Sequence, residues 1–504
     1  MMRKTKITKP KTIILIQPKV GYTEELVYKK TMPLALLTIA SCLIDEYEVI
    51  IINQITDRYW KKKLIKSLQR EPICVGVTSM TGMQIKHALD ISKIVKNNSK
   101  SPVVWGGIHA TLFPKQTLSN RYIDYVVKGE GEITFRELSD ALSKGTEIKK
   151  IKGVGFKEKG RIIINQDREF LDMDQLPDIP YELIDVQQHL PSLMKKPAFF
   201  IQTSRGCPYS CTFCFNTYYN KNRWRGQNSS TVLKNIERIV RDYDIGHFYF
   251  TDDNFFVQKK RAMEIVEGLI KRNLNIRYII QGARINDIKN MSDEDLRKLR
   301  KSGCIKVVLG VESGSQKILD FINKQISLKD VVPISKKLRK FGIYSQYNFM
   351  LGLPGETMKD IRRTIEMTMR IIKSNPMAFV SYSIFVPYPQ TPIGNLLSKK
   401  GFHFPNNLKD WVEYDYNNAQ NINWIGRKQK RKIEALQYIS LFIDNKAKYY
   451  SDTAWWIRLF SQLYLPIARI RFKYLLTDFH IELVLHRLFL KMIQKNKGLK
   501  IRQK

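Results

Sequence analysis

A chain of 504 residues with 85 Lys and Arg against 47 Asp and Glu carries a formal net charge of +38, and its 43% apolar and 26% charged content is that of a globular protein. That length and composition exclude a small disulfide-stapled module and a disordered tail, and leave room for two to four domains with buried cores. The charge favours anionic partners, whether nucleic acid, lipid headgroups or acidic metabolites, although the lysines run along the whole sequence and form no dedicated arm.

The first apolar run, Ile13 to Ile16, ends at once in Gln17, Pro18 and Lys19 and is too short for a signal peptide. Nor does any run of about 18 uncharged apolar residues offer a membrane span, so a cytoplasmic protein is expected. Over residues 10–145 the sequence alternates β-rich apolar runs with amphipathic helical patterns, which predicts a parallel sheet wrapped by helices. Strands are expected at Thr12–Gln17, Glu48–Asn53, Ile73–Thr78, Pro102–Trp105 and Tyr122–Val127. Five such units predict a flavodoxin-like domain, which takes ligands at the carboxyl ends of its strands. Glycines gather there, from Gly76 to Gly82, at Gly106 and Gly107, and at Gly129 and Gly131, where they permit close backbone approach to a flat ligand.

Residues 146–194 read as a linker, with a hairpin from Gly155 to Ile164 and a Pro-rich connector from Leu176 to Tyr181. A second alternation over 195–397 places strands near Phe199–Thr203, His247–Thr251, Ile276–Ile280, Lys306–Val311, Tyr344–Leu351 and Val380–Val386. Six repeats predict an incomplete β/α barrel, with its chemistry on the loops leaving the strand carboxyl ends. Cys207, Cys211 and Cys214 follow the first of these strands in a C-x3-C-x2-C pattern. Zinc sites and [4Fe–4S] clusters normally take four protein ligands, so three cysteines with no fourth nearby imply an open metal position. A zinc knuckle completed by a remote His is the alternative. Further polar groups fall at matching strand ends: Asp252 to Asn254, Gln281 to Arg284, Glu312 to Gly314, and Gly352 to Glu356. The other cysteines, Cys42, Cys74 and Cys304, lie in apolar segments, and Cys304 is expected near a helix end as a buried structural thiol.

The cysteine spacing, with Phe213 just before the last cysteine, resembles the radical S-adenosylmethionine (SAM) enzymes, and the preceding domain resembles the cobalamin-binding domain found ahead of many of them. The runs Leu309 to Ser315 and Met350 to Thr357 are similar to the cobalamin-linked branch. The resemblance spans roughly residues 10–395. It implies that Cys207, Cys211 and Cys214 hold a [4Fe–4S] cluster whose open iron binds SAM, that Glu312 and Arg284 contact SAM, and that Phe213 packs on its adenine. It also implies cobalamin contacts at Thr78, Ser79, Gly106 and Gly107. One departure is that the loop from Pro18 to Glu25 lacks the histidine that supplies the lower cobalt ligand in methionine synthase-type domains. The run Tyr388 to Thr391 departs from the usual Pro-Gly-Thr turn.

The implied chemistry is cleavage of SAM to a 5′-deoxyadenosyl radical, with electrons from a donor such as ferredoxin or flavodoxin, and methyl transfer through cobalamin to an unactivated carbon. The implied substrate is a hydrophobic or lipid-like small molecule. Oxidative cyclisation of a tetrapyrrole ester is the alternative within the family. An RNA substrate is disfavoured, because the methylthiotransferase branch carries an extra N-terminal cysteine trio where this chain has only Cys42 and Cys74. A non-catalytic iron–sulfur or cobalamin sensor is the non-enzymatic reading. Residues 398–504 read as a basic, aromatic, mainly helical region, with 19 Lys and Arg against 8 Asp and Glu over 401–504. From Ala454 to Leu490 its amphipathic pattern fits either a peripheral membrane contact or a cap on the barrel.

Overall fold

The computed structural model describes residues 10–21, 30–414, 422–449, 455–478 and 481–482. The chain forms two compact units, one comprising the residues up to Leu190 together with Pro405–Asp415, the other running from Pro191 to Phe404 and including the described residues after 421.

In the first unit, β1 (Thr12–Gln17), β2 (Glu48–Asn53), β3 (Cys74–Thr78), β4 (Val103–Gly106) and β5 (Tyr125–Val127) pair in parallel in the order β2-β1-β3-β4-β5. Helices on both faces bury both sides of the sheet, which is why its strands read as unbroken apolar runs. Ile13, Ile14 and Ile16 are fully buried. The hairpin expected within the linker instead extends this sheet: β6 (Val154–Glu158) pairs antiparallel with β5, and β7 (Arg161–Ile164) with β6. The reason is that β5 would otherwise present an open edge of unpaired amides and carbonyls, which the hairpin covers.

The C-terminal region likewise does not begin as one body at residue 398. The segment Pro405–Asp415 packs into the first unit through Trp411, which is fully buried against Phe113 and His109 and donates its indole N–H to Gln116 Oε1 at 2.6 Å. A tryptophan is large and apolar but must satisfy its N–H, and this site provides both.

The second unit holds a six-stranded parallel sheet in sequential order: β8 (Phe199–Ile201), β9 (His247–Phe250), β10 (Arg277–Ala283), β11 (Cys304–Glu312), β12 (Tyr344–Leu351) and β13 (Ala378–Ile384). Sequential parallel order with intervening helices is the open (β/α)6 barrel that the repeats predict. Cys304 opens β11 three residues after the helix Asp293–Lys301 ends, as expected; it is fully buried, and burial pushes its thiol up to about 12. In β12, Ser345, Tyr347, Phe349 and Leu351 are buried and alternate with the less buried Gln346, Asn348 and Met350. Phe349 stacks on Tyr382 of β13 at 5.2 Å between ring centroids. Phe349→Ala should cost about 3–5 kcal/mol, lowering the denaturant midpoint of the barrel's unfolding transition while β-sheet circular dichroism persists in buffer.

Candidate active site

The loop carrying the cysteines has almost no hydrogen-bonded structure of its own, and its neighbours hold it on three sides. At its base, the buried carboxylate of Asp252, at the carboxyl end of β9, accepts from the amides of Thr203 (2.6 Å) and Ser204 (2.8 Å) and from the Thr203 hydroxyl (2.6 Å). Asp253 accepts from the Gly206 amide at 2.8 Å. Burial pushes both carboxyls up, Asp252 to about 6, against the lowering effect of these hydrogen bonds. On a second side, the Thr212 amide donates to Ile322 O, and Asn323 Nδ2 donates to Ser210 Oγ at 2.8 Å. On the third, the Ile393 amide donates to Thr212 O. Ile393 lies in the first turn of the helix Pro392–Lys399, capped by Thr391, so the helix that follows the departing Tyr388 to Thr391 turn fastens the cysteine loop.

Within this frame Cys211 is buried, and Cys207 and Cys214 are half-buried. Burial raises the thiols of Cys207 and Cys214, the latter to about 12, so any metal they held would have to displace their protons. Arg284, at the end of β10, donates from Nη1 to Cys211 Sγ at 3.4 Å and from Nη2 to Lys324 O, with its guanidinium 3.7 Å from the Tyr209 ring centroid. Lys324 was not singled out by the sequence. Its Nζ forms a buried ion pair with Glu312 Oε1 at 2.7 Å and lies 5.9 Å from the centre of the Phe213 ring.

Glu312 ends β11 at a register shift, with φ of +74°. Such a conformation costs a non-glycine residue roughly 1–3 kcal/mol and is found where the surroundings enforce it. Gly310 leaves room for the Glu312–Lys324 pair: a Cβ there would stand 2.4 Å from Glu312 Oε1 and 2.7 Å from Lys324 Nζ. The strand end therefore gathers Arg284, Glu312, Lys324 and Phe213 beside the cysteines.

Several buried polar atoms around the cysteine loop lack a hydrogen-bond partner: Ser204 Oγ, Thr212 Oγ1, Asn216 Oδ1 and Arg284 Nε. Orphaned polar atoms packed beside three thiols fit a polar, charged group belonging in this site. Among the described residues no three Cys, His, Asp or Glu side chains are close enough to chelate a single ion. Cysteines that each bind a different iron of a cluster need not meet that condition.

In the first unit, Thr78, Ser79, Gly106 and Gly107 are neighbours across the ends of β3 and β4. Ser79 donates from both its amide and its hydroxyl to Gly106 O at 2.9 Å. Gly107 has φ of +90°, and a Cβ on it would stand 2.7 Å from Ser79 O, so only glycine fits. Nearby, His109 is fully buried; its Nδ1 lies 3.1 Å from Thr81 Oγ1, its Nε2 has no partner, and burial lowers its pKa to about 3. A neutral imidazole with an open nitrogen at a glycine-lined strand end suits a polar edge of a large ligand. Of the loop from Pro18 to Glu25, residues 22–25 lie outside the described residues.

At the end of β12, Glu356 is buried, with Oε2 accepting from the Gly352 amide at 2.7 Å and Oε1 unpartnered. Burial raises it from 4.5 to about 8. A carboxyl bound more tightly to its proton in the folded state lends stability that is complete below its unfolded pKa and is lost as pH rises through about 8. The melting temperature should therefore fall between pH 6 and 8.5, and Glu356→Gln should flatten that slope; thermal denaturation followed by circular dichroism across this range checks it.

Comparison with known proteins matches residues 201–368 to the model of the radical SAM superfamily and residues 26–139 to that of the B12-binding domain. An uncharacterized methyltransferase of Pyrococcus horikoshii is 30% identical over 440 residues, covering 86% of this chain and 93% of the relative. An anaerobic magnesium-protoporphyrin IX monomethyl ester cyclase of Rubrivivax gelatinosus is 28% identical over 66% of this chain, which spans about three fifths (59%) of the cyclase's length. In fold, the chain resembles the cobalamin-dependent SAM radical enzyme OxsB, solved with aqua-cobalamin bound, at a TM-score of 0.74 and 20% identity over 98% of this chain and 77% of that one.

Proposed function

Because the chain belongs to the radical SAM enzymes that carry an N-terminal B12-binding domain, we propose that it transfers a methyl group to an unactivated carbon of a hydrophobic small molecule. The observation that carries this reading is the clamped cysteine loop, with a guanidinium on one ligand sulfur and a buried Glu312–Lys324 pair beside Phe213. When bound, the [4Fe–4S] cluster and SAM supply the 5′-deoxyadenosyl radical, and cobalamin supplies the methyl carrier.

The protein's own residues bind and orient. Cys207, Cys211 and Cys214 ligate the cluster, and Arg284, holding Cys211 Sγ and Lys324 O together, fixes the loop against the strand end. Glu312 accepts from hydroxyl or ammonium groups of SAM, Lys324 is the counter-charge for its carboxylate, and Phe213 packs against adenine. Opposite charges already paired in a buried site cost less to reorganise around a zwitterion than a lone buried charge would. In the first unit, Thr78, Ser79, Gly106 and Gly107 present hydroxyls and backbone to cobalamin. Reduced ferredoxin or flavodoxin donates the electron.

A hydrophobic substrate is supported by similarity to a cyclase of a magnesium porphyrin ester. That similarity favours ring-forming oxidation of a tetrapyrrole as the second reading. Accurate-mass comparison of lipid and tetrapyrrole extracts from cells with the native protein and with Cys207→Ala decides between them. A product richer by CH2 is expected. An oxo product, of the same nominal mass but resolvable, or a cyclised product, lighter by the two hydrogens lost in closing the ring, establishes the cyclase, and no difference in either extract overturns both.

Gly310→Ala separates the SAM site from the cluster. Its Cβ displaces the Glu312–Lys324 pair without touching a cysteine. The variant should keep the iron content and visible absorbance of the native protein while its release of 5′-deoxyadenosine falls by about tenfold or more, as expected for loss of one charge-assisted contact.

A further inference from the structure

The helix Trp455–Lys473 has two unlike faces. Tyr464, Ala468, Arg471 and Phe472 are buried; Phe472 meets Tyr382 of β13 edge-on at 5.4 Å, and Arg469 Nε donates to Ile443 O at 2.9 Å. This face caps the barrel. On the other, Trp455, Leu459, Leu463, Ile467, Ile470 and Tyr474 follow one another at spacings of four or three, so they share a single stripe. All six are exposed, Leu463 by 69% and Trp455 by 74%. Of sixteen exposed large apolar side chains among the described residues, nine fall between Trp455 and Ile481. An apolar patch so concentrated marks a binding surface.

The charge around the stripe says what covers it. The helix Trp455–Lys473 has no acidic residue; of its four basic ones Arg471 is paired with Glu482 on the packed face and Arg469 donates to Ile443 O, while Lys473 is exposed beside Tyr474 of the stripe, and after Glu482 the sequence has seven basic residues and none acidic. A protein partner would need an apolar groove with an acidic rim, whereas a bilayer with anionic headgroups offers apolar depth and negative charge in one surface. No described helix is long and apolar enough to cross a membrane. We propose that this stripe docks the protein on the surface of an anionic lipid bilayer, the helix lying in the interface with Trp455 and Tyr474 at headgroup level. This surface is independent of the reaction proposed above.

The test is vesicle flotation of the full-length, cofactor-loaded protein with phosphatidylglycerol–phosphatidylcholine or pure phosphatidylcholine vesicles, with 5′-deoxyadenosine release measured separately in vesicle-free buffer. Binding to the anionic vesicles is expected, weakened by salt. Leu463→Glu with Ile467→Glu should reduce it by about tenfold or more, Leu463→Ala with Ile467→Ala by less, and Ile44→Glu, at an exposed apolar residue of the other unit, should leave it intact. Failure to float, equal flotation with both lipids, or full binding by the double Glu variant overturns the proposal. So does light scattering in which the native protein is a dimer and the double Glu variant a folded monomer, since the stripe would then cover a second copy. Failure of SAM cleavage with flotation intact would count only against the reaction.

Discussion

The constraint on which the second unit depends is that a loop of three cysteines must be held rigid without secondary structure of its own. Backbone amides in such a loop need partners, and a buried carboxylate can take several at once. Asp252 takes two amides and a hydroxyl, and Asp253 takes one more. Their placement follows from the barrel: β8 and β9 are adjacent and parallel, so residues just past their carboxyl ends are brought side by side. Arg261 completes the base by donating to Thr203 O. The raised affinity of Asp252 for its proton reflects its burial, which the amides offset only in part.

The same logic explains the charges above the loop. Lone buried charges are costly, and those in this site occur in contact with others or with hydrogen-bonding groups. Lys324 answers Glu312, while Arg284 spans a sulfur, a carbonyl and an aromatic face. Glu312 tolerates a left-handed backbone because Gly310 leaves room for its carboxylate. Strain, a missing side chain and a buried ion pair thus occur at one strand end, as expected where binding geometry outranks local stability.

In the first unit the parallel sheet presents glycine-rich strand ends, and a segment far along the chain comes back to pack there. Trp411 covers His109 and Phe113, leaving the imidazole dry and neutral. Beyond the barrel, the C-terminal helix divides its surface, one face packed on β13 and the other apolar and exposed. A helix need not choose between capping a core and meeting a bilayer, because its period of 3.6 residues gives it a face for each.

Much of the fold was legible because most strands of both sheets pair in parallel and are largely buried, so β-rich apolar stretches alternate along the sequence with separate helical patterns. Glu48–Asn53 and Tyr344–Leu351 could be bounded to the residue on that ground. The cysteines were legible because their spacing is local, and the polar strand ends because the barrel brings them to one mouth. Lys324 was not, since its role comes from a turn that folds back onto the loop and nothing in its neighbourhood marks it among so many lysines. The β6–β7 hairpin and Trp411 were misplaced for the same reason: which edge a hairpin covers, and which pocket a distant tryptophan fills, are contacts across the chain. The sequence by itself determined the architecture and the cysteine loop, where the information is periodic or contiguous. Only the tertiary structure decided the Glu312–Lys324 pair, the clamp on the cysteine loop and the exposed stripe of the last helix, because each depends on which distant residues fall within a few ångströms.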